Sequence, residues 1–337
     1  MDKTQTVAYK GSMNIFRRIY RRLRPAGPLL PDGVLASNLW VDKPRPNRHI
    51  EALLRSGQID EAMAEGLMKF VKDGYVSFRI EDDGTFDELI AAVDRVWLEK
   101  PANVGYAFQS EPIRMSNADD RHRQHTYRIA DLHEYSPAAM RLYLHPEIFR
   151  WVRAIFGTDP VATQSLMFEW GSQQALHRDP VHVMMTPPCH LIAAWIALED
   201  IGPDCGPLTY VPGSHRLPYF QFEPGQYWFS HGTYGDAEAL AAAEWDLQHC
   251  RDNGLETETF TCRKGDVLLW HHSLLHGGMA VANPALSRRS FVVHYSTLAY
   301  MKEVKAWYGV GDNREFLSST TIRELNGNHG FRSPLAS

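Results

Sequence analysis

The sequence predicts a mainly β protein with flanking helices, a sandwich or jelly roll rather than a parallel sheet. Three observations carry this. Short strand-like runs crowd residues 161–295, Gly and Pro turns separate them, and the chain lacks a Gly-rich phosphate loop, a GxSxG elbow or an internal repeat.

The elements follow in order. Asn14 to Arg24 sets Ile15, Ile19 and Leu23 at helical spacing among Arg17, Arg18, Arg21, Arg22 and Arg24. Such a segment can lie on an anionic membrane surface, although a short helix docked on the core with its arginines in water is the plainer reading. Pro25 to Pro46 reads as a linker or surface arm. From Arg48 to Lys100 the pattern is helix, strand, helix: Ala62, Leu67, Phe70 and Val71 share one helical side, Asp73-Gly74 ends that helix, Tyr75 to Ile80 is a strand, and Thr85 to Trp97 is a second amphipathic helix capped by Asp83 or Thr85. Residues 101–135 read as an irregular loop dense in Arg, His and Tyr. A helical stretch from Pro137 to Phe156 precedes strands at Val161 to Trp170, Leu191 to Leu198, Leu208 to Val211, Thr257 to Thr261, Val267 to Trp270 and Ser290 to Tyr295. Beyond residue 300 a helix near Arg314 to Leu325 is expected.

Length and composition bound the function. The 337 residues are 44% hydrophobic and 22% charged, an ordinary globular balance. A formal charge of −5 and a pI near 6.3 argue against a chain built to coat nucleic acid. Cys189, Cys205, Cys250 and Cys262 form neither a disulfide framework nor a CxxC zinc site. No apolar run is long enough for a transmembrane segment, and no secretory h-region is seen, so a cytoplasmic protein acting on a small-molecule substrate is expected, with an oligomer allowed.

The chemistry is concentrated in Gln174 to Pro180, QALHRDP, which sets His177 and Asp179 two residues apart after a strand. On an extended backbone, i and i+2 side chains point the same way, so an imidazole and a carboxylate can reach one metal ion. His276 in Leu274 to Gly278 is the candidate third ligand, since a strand precedes it and Gly277-Gly278 permit a close approach. Two histidines and one carboxylate leave three positions open, the arrangement of iron(II) oxygenases that admits a bidentate 2-oxo acid and O₂. The far carboxylate of 2-oxoglutarate needs a fixed fork of donors, and Arg288, twelve residues after His276, is the choice. Strand alternation places Ser290, Val292 and His294 on the face of Arg288, and Arg289 on the other. The adjacent His271-His272 invites a second metal reading, but successive residues of a regular strand face opposite sides and cannot both be ligands.

With these residues in order, the sequence resembles the phytanoyl-CoA dioxygenase family of 2-oxoglutarate oxygenases. The resemblance rests on His177-Arg178-Asp179, on Ala194 to Asp200 (AWIALED), on Gly206 to Arg216 (GPLTYVPGSHR), on Gly265-Asp266-Val267, and on His276-Gly277-Gly278 followed by Asn283 and Arg288. It covers roughly residues 160 to 297 and implies a double-stranded β-helix, cupin-like, over 47–298, between a basic arm at 1–46 and a C-terminal extension at 299–337. It further implies Fe(II) held by His177, Asp179 and His276, 2-oxoglutarate held by Arg288 beside Trp195, and O₂ as the oxidant of a hydroxylase. Related halogenases carry a small residue in place of Asp179, so its presence favours hydroxylation. Two departures stand out: Gly278 replaces the family's frequent Ser, and an insertion between Arg216 and Glu256 is a candidate lid or oligomer contact. Arg121, Arg123, His125 and Arg128 in the basic loop, with His182 past the HxD motif, are candidates for binding an anionic substrate. Surface pairing with Glu111, Asp119, Asp120, Asp131 and Glu134 is the competing reading of that loop. Two other functions stay open: a cupin-type metalloenzyme without 2-oxoglutarate, and a non-catalytic binding protein on the same fold.

Overall fold

The computed structural model describes residues 39–101, 104–108, 114–115, 123, 127–182, 185–186, 190–224, 227, 236–303, 306–307 and 322–331. The basic segment 14–24 lies outside them. What the linker reading treated as loose is docked from Leu39 onward: Leu39, Trp40 and Val41 are buried, and Trp40 Nε1 donates to the Ala154 carbonyl at 2.8 Å.

Helices α1 (Pro46–Arg55) and α2 (Glu61–Asp73), strand β1 (Tyr75–Arg79) and helix α3 (Thr85–Glu99) form the lead-in. Asp60 caps α2 by accepting from Met63 N, and Gly74 closes it at φ 82°, where a left-handed residue is needed. The start of α3 is held by two carboxylates: Asp83 accepts from Thr85 N, and Asp82 from Gly84 N and Phe86 N. The expected helix from Pro137 to Phe156 is two, α4 (Pro137–Tyr143) and α5 (Pro146–Phe156). Pro146 disfavours a helical residue before it and donates no N–H, so a new helix starts there.

The supposedly irregular 101–135 stretch contains β2 (Gly105–Phe108), β3 (Arg114–Met115) and β4 (Tyr127–Ala130), hidden from sequence reading by their brevity. Then come β5 (Pro160–Phe168), the short helix α6 (Asp179–His182), β6 (Met185–Thr186), β7 (Ile192–Ala197) and β8 (Leu208–Tyr210). Helix α7 (Asp236–Asp252) lies in the insertion, and β9 (Glu258–Phe260), β10 (Asp266–His271), β11 (His276–Gly278), β12 (Ser290–Thr297), α8 (Leu298–Glu303) and β13 (Ala306–Trp307) follow. The expected C-terminal helix is not formed where the chain is described: Ile322–Leu325 is a strand, β14, turning back on β15 (Asn328–Phe331). Asn326-Gly327 between them has φ 53° and 75°, the left-handed pair that a two-residue hairpin turn requires.

The major sheet runs β1-β10-β7-β12-β5-β4-β2-β3, with β15 joining β5 in parallel, and β11-β8-β9 form a smaller sheet. This is the large antiparallel sheet with flanking helices of a jelly roll. Alternation divides each central strand between two apolar clusters. Ile192, Ala194 and Ile196 of β7, Val267 and Leu269 of β10, and Phe291, Val293 and Tyr295 of β12 pack with the helices. Ala193, Trp195 and Ala197, Leu268 and Trp270, and Val292 pack instead with Leu208 and Tyr210 of the smaller sheet. The second cluster is the barrel interior, where the functional side chains lie.

Candidate metal centre and cosubstrate pocket

A β-bridge brings the two halves of the expected ligand set together. His177 N donates to the His276 carbonyl at 2.8 Å and His276 N returns the bond at 3.0 Å, setting their rings 4.5 Å apart. Gly277 and Gly278 permit this approach, because a Cβ at Gly277 would lie 2.7 Å from the Gln174 carbonyl and one at Gly278 only 2.4 Å from Ser172 Oγ. The space that a Ser side chain would need at 278 is thus taken by Ser172.

Asp179 Oδ1 lies 3.6 Å from His276 Nε2, and ligand atoms of His177, Asp179 and His276 all fall within 4.8 Å of one another. Second contacts orient each one. His177 Nδ1 meets the Ala175 carbonyl and His276 Nδ1 the Leu274 carbonyl, each at 2.9 Å. A carbonyl only accepts, so Nδ1 carries the proton and Nε2 keeps its lone pair for a metal. Trp270 Nε1 donates to Asp179 Oδ2 at 2.8 Å, leaving Oδ1 toward the histidines.

Burial depresses the His177 pKa to about 3, helped by His276 and by the charge of Arg128, and depresses that of His276 to about 4. Both imidazoles are therefore neutral near pH 7, the state a metal needs. Burial also raises the Asp179 carboxyl pKa, while His294 and the Trp270 bond oppose the rise. Two neutral imidazoles and a desolvated carboxylate suit a borderline divalent ion such as Fe(II).

Arg288 begins the run into β12, its backbone N donating to the Glu169 carbonyl at 2.7 Å. The residue is 2% exposed, with Cζ 5.7 Å from the Trp195 ring and 5.8 Å from that of Phe168. Among the described residues, neither Nε nor Nη1 has a hydrogen-bond partner. A buried cation without an anion is costly, and burial lowers the Arg288 pKa to about 10, which still leaves it charged at pH 7. The pocket is one carboxylate short of balance, which fits an anionic cosubstrate lying between Arg288 and the His/Asp cluster.

The basic loop divides. Arg123 is committed to structure: its guanidinium is bidentate on Glu169, at 3.1 and 3.0 Å, and also meets Asp94. Arg128, on β4, is close enough to His177 for its charge to depress that imidazole. Arg121, His125 and the side chain of His182 lie outside the described residues. Sequence reasoning missed Trp270 as the partner of Asp179, because only the fold sets the end of β10 opposite the HxD loop. It also missed Arg178. That guanidinium is fully buried, 2.9 Å from Asp246 of α7, 3.0 Å from the Leu217 carbonyl and over the Tyr219 ring at 4.6 Å.

Two histidines and a carboxylate whose ligand atoms lie within 4.8 Å of one another inside a jelly roll are the arrangement expected of a non-haem iron(II) oxygenase. The family model for phytanoyl-CoA dioxygenase (PhyH) matches residues 70–290, and the chain belongs to that family. It is 26% identical over 144 residues to the peroxisomal phytanoyl-CoA dioxygenase of Bos taurus, a match covering 39% of this chain and 38% of that protein. It is 28% identical over 88 residues to phytanoyl-CoA dioxygenase domain-containing protein 1 of Mus musculus, covering 25% and 30%. These matches span under two-fifths of the length of either relative. Among solved structures, the carbocyclase SnoK from nogalamycin biosynthesis, described as non-heme and alpha-ketoglutarate-dependent, superposes with a TM-score of 0.56 at 18% identity, covering 82% of this chain and 98% of that one. EctD from S. alaskensis, solved with 2-oxoglutarate and 5-hydroxyectoine, gives 0.53 at 21%, covering 93% and 98%. Both share the fold.

Proposed function

We propose that this chain is an iron(II)- and 2-oxoglutarate-dependent oxygenase that hydroxylates an unactivated C–H bond of a small anionic molecule. The observation that carries this reading is the pairing of a ligand-ready His177/Asp179/His276 cluster with the buried guanidinium of Arg288, whose Nε and Nη1 have no hydrogen-bond partner among the described residues. Iron(II), with 2-oxoglutarate as the source of electrons, supplies O₂ activation when bound.

The protein's own residues supply position and dryness. His177 and His276 present Nε2 because backbone carbonyls hold their Nδ1 protons. Trp270 fixes the rotamer of Asp179. Arg288 pairs with the distal carboxylate of the cosubstrate, and Trp195, Phe168 and Val292 exclude water around that ion pair. Retention of Asp179 leaves no ligand position for a halide, which favours oxygen transfer. Arg128, whose charge His177 feels, adds positive potential that favours an anionic substrate near the cluster.

Anaerobic titration of the apoprotein with iron(II) and 2-oxoglutarate tests the reading. A visible metal-to-ligand charge-transfer band is expected in wild type, absent in His177→Ala, and present only at much higher 2-oxoglutarate in Arg288→Ala. If wild type gives no band, a cupin-type enzyme without 2-oxoglutarate or a non-catalytic role takes its place. With a turned-over substrate in hand, gain of one oxygen atom in the product supports hydroxylation; unchanged mass or loss of two hydrogens sinks it.

A further inference from the structure

The contacts of the insertion between Arg216 and Glu256 alternate with the metal-ligand residues. His177 and Asp179 turn toward His276, while Arg178 between them is fully buried against the insertion. Its guanidinium lies 2.9 Å from Asp246 of α7, donates to the Leu217 carbonyl at 3.0 Å and covers the Tyr219 ring at 4.6 Å. Leu176 and Leu275, each one residue before a ligand histidine, pack with Val211 and with Leu217, Cys250 and Leu255 of the insertion. Asp246 and Cys250 are one turn apart on α7, so a single helix face meets the residues that flank both ligand histidines.

Tyr219 adds a link to the turn before His276. Its hydroxyl shares a hydrogen bond with Ser273 Oγ, and that oxygen also holds His272 Nδ1 at 2.8 Å. The His272 carbonyl in turn accepts from Asp179 N at 3.1 Å. Tyr219 therefore touches both halves of the ligand set, with its ring on Arg178 and its hydroxyl on Ser273. Charge makes the docking conditional, because a guanidinium stays out of water only while an anion balances it. With α7 lifted away, Arg178 would turn to solvent and carry with it the peptide units it shares with His177 and Asp179. The ligand loop thus has a docked and a released arrangement, and the docked one sets His177 and Asp179 against His276.

We propose that the insertion is a clamp on the metal centre: docking of α7 and metal binding are coupled, with Arg178, Tyr219 and Asp246 as positioning residues for the ligand set. This gives the insertion a role other than that of a lid or an oligomer contact. The inference rests on the reading of His177, Asp179 and His276 as the iron site. Coupling of this kind is reciprocal, so metal on the ligands holds α7 against the barrel by the same factor by which docked α7 tightens the metal.

The test uses the full chain and Mn²⁺ as an air-stable stand-in for iron(II). In wild type, saturating Mn²⁺ is expected to slow amide hydrogen exchange across Asp236–Asp252 by about threefold or more, and to leave it unchanged in His177→Ala. Asp246→Ala is expected to weaken Mn²⁺ binding about 10–100-fold. Arg178→Met with Asp246→Leu docks α7 without charge and is expected to restore most of that affinity. A merely structural ion pair would lower the Tm of Asp246→Ala and leave Mn²⁺ affinity, measured well below that Tm, where it was. Should Asp246→Ala not fold, the exchange measurement on wild type still decides. If wild type binds an Mn²⁺ that His177→Ala abolishes, but α7 exchange ignores the metal or Asp246→Ala binds it as tightly, the clamp is overturned and the iron site stands. If wild type binds no Mn²⁺ through His177, both readings fall.

Discussion

Arg288 sets the cost of burying a charge against the gain from binding one. Its Nε and Nη1 have no partner in the described residues, so removing the guanidinium takes away a liability of the cosubstrate-free protein. Arg288→Met is therefore expected to leave Tm unchanged or raised while increasing KM for 2-oxoglutarate by roughly 10²–10³-fold, the loss of about 3–4 kcal/mol from a desolvated ion pair. A variant that loses Tm and leaves KM alone would remove Arg288 from the cosubstrate site. Trp270 acts one step back from the metal. Trp270→Phe keeps an aromatic ring in the interior but deletes the 2.8 Å bond to Asp179, and iron affinity is expected to fall about 10–100-fold by competition titration.

Elements meet at the HxD loop with little tolerance. A Cβ at Gly278 would stand 2.4 Å from Ser172 Oγ and 2.9 Å from Gln173 N, so Gly278→Ala is expected to cost about 1–3 kcal/mol in denaturant unfolding and to loosen iron. The double variant with Ser172→Gly is expected to recover only part, since the backbone contact stays. Helix α7 turns the buried residues Ala242, Ala243, Asp246 and Cys250 inward, and Asp246 meets the guanidinium of Arg178, which lies between His177 and Asp179 in the chain. Asp246→Ala leaves that cation buried and unpaired, a loss of roughly 3–5 kcal/mol, whereas Arg178→Met with Asp246→Leu is expected to cost far less. Equal losses in chemical denaturation would mean that packing rather than charge joins the insertion to the loop.

Across the whole molecule, buried histidines make stability depend on acid. Burial pushes the pKa of His190 down to about 4 and that of His215 to about 3, from an unfolded value near 6.5. Above pH 6.5 neither state is protonated and stability is full. As pH falls below 6.5 the unfolded chain takes up protons the folded chain refuses, so stability drops by up to about 1.4 kcal/mol per pH unit for each histidine until its folded pKa is reached. His190 stacks on Tyr300 with centroids 4.5 Å apart, so His190→Phe preserves the packing. It is expected to reduce the slope of unfolding free energy between pH 6.5 and about 4 by one proton; an unchanged slope would show that His190 does not titrate in that window.

What the residues alone determined is local. Alternation and turn chemistry identified the central strands from Val161 to Tyr295, the i, i+2 spacing of His177 and Asp179 set a metal-ready pair, and Gly277-Gly278 marked a close approach, because each depends on neighbours in the chain. Asn326-Gly327 is an equally local signal, for the β14–β15 hairpin that the expected helix near Arg314 to Leu325 leaves out. Tertiary structure alone decided which side chains from distant segments meet. Trp270 reaches Asp179, Arg178 reaches Asp246, Arg123 is spent on Glu169, and Asp42 meets His271 because the sheet's pairing order and the point where β10 ends fix those encounters. Contacts across such sequence distances arise from burying two faces of one sheet, which no pattern of spacing along the chain encodes.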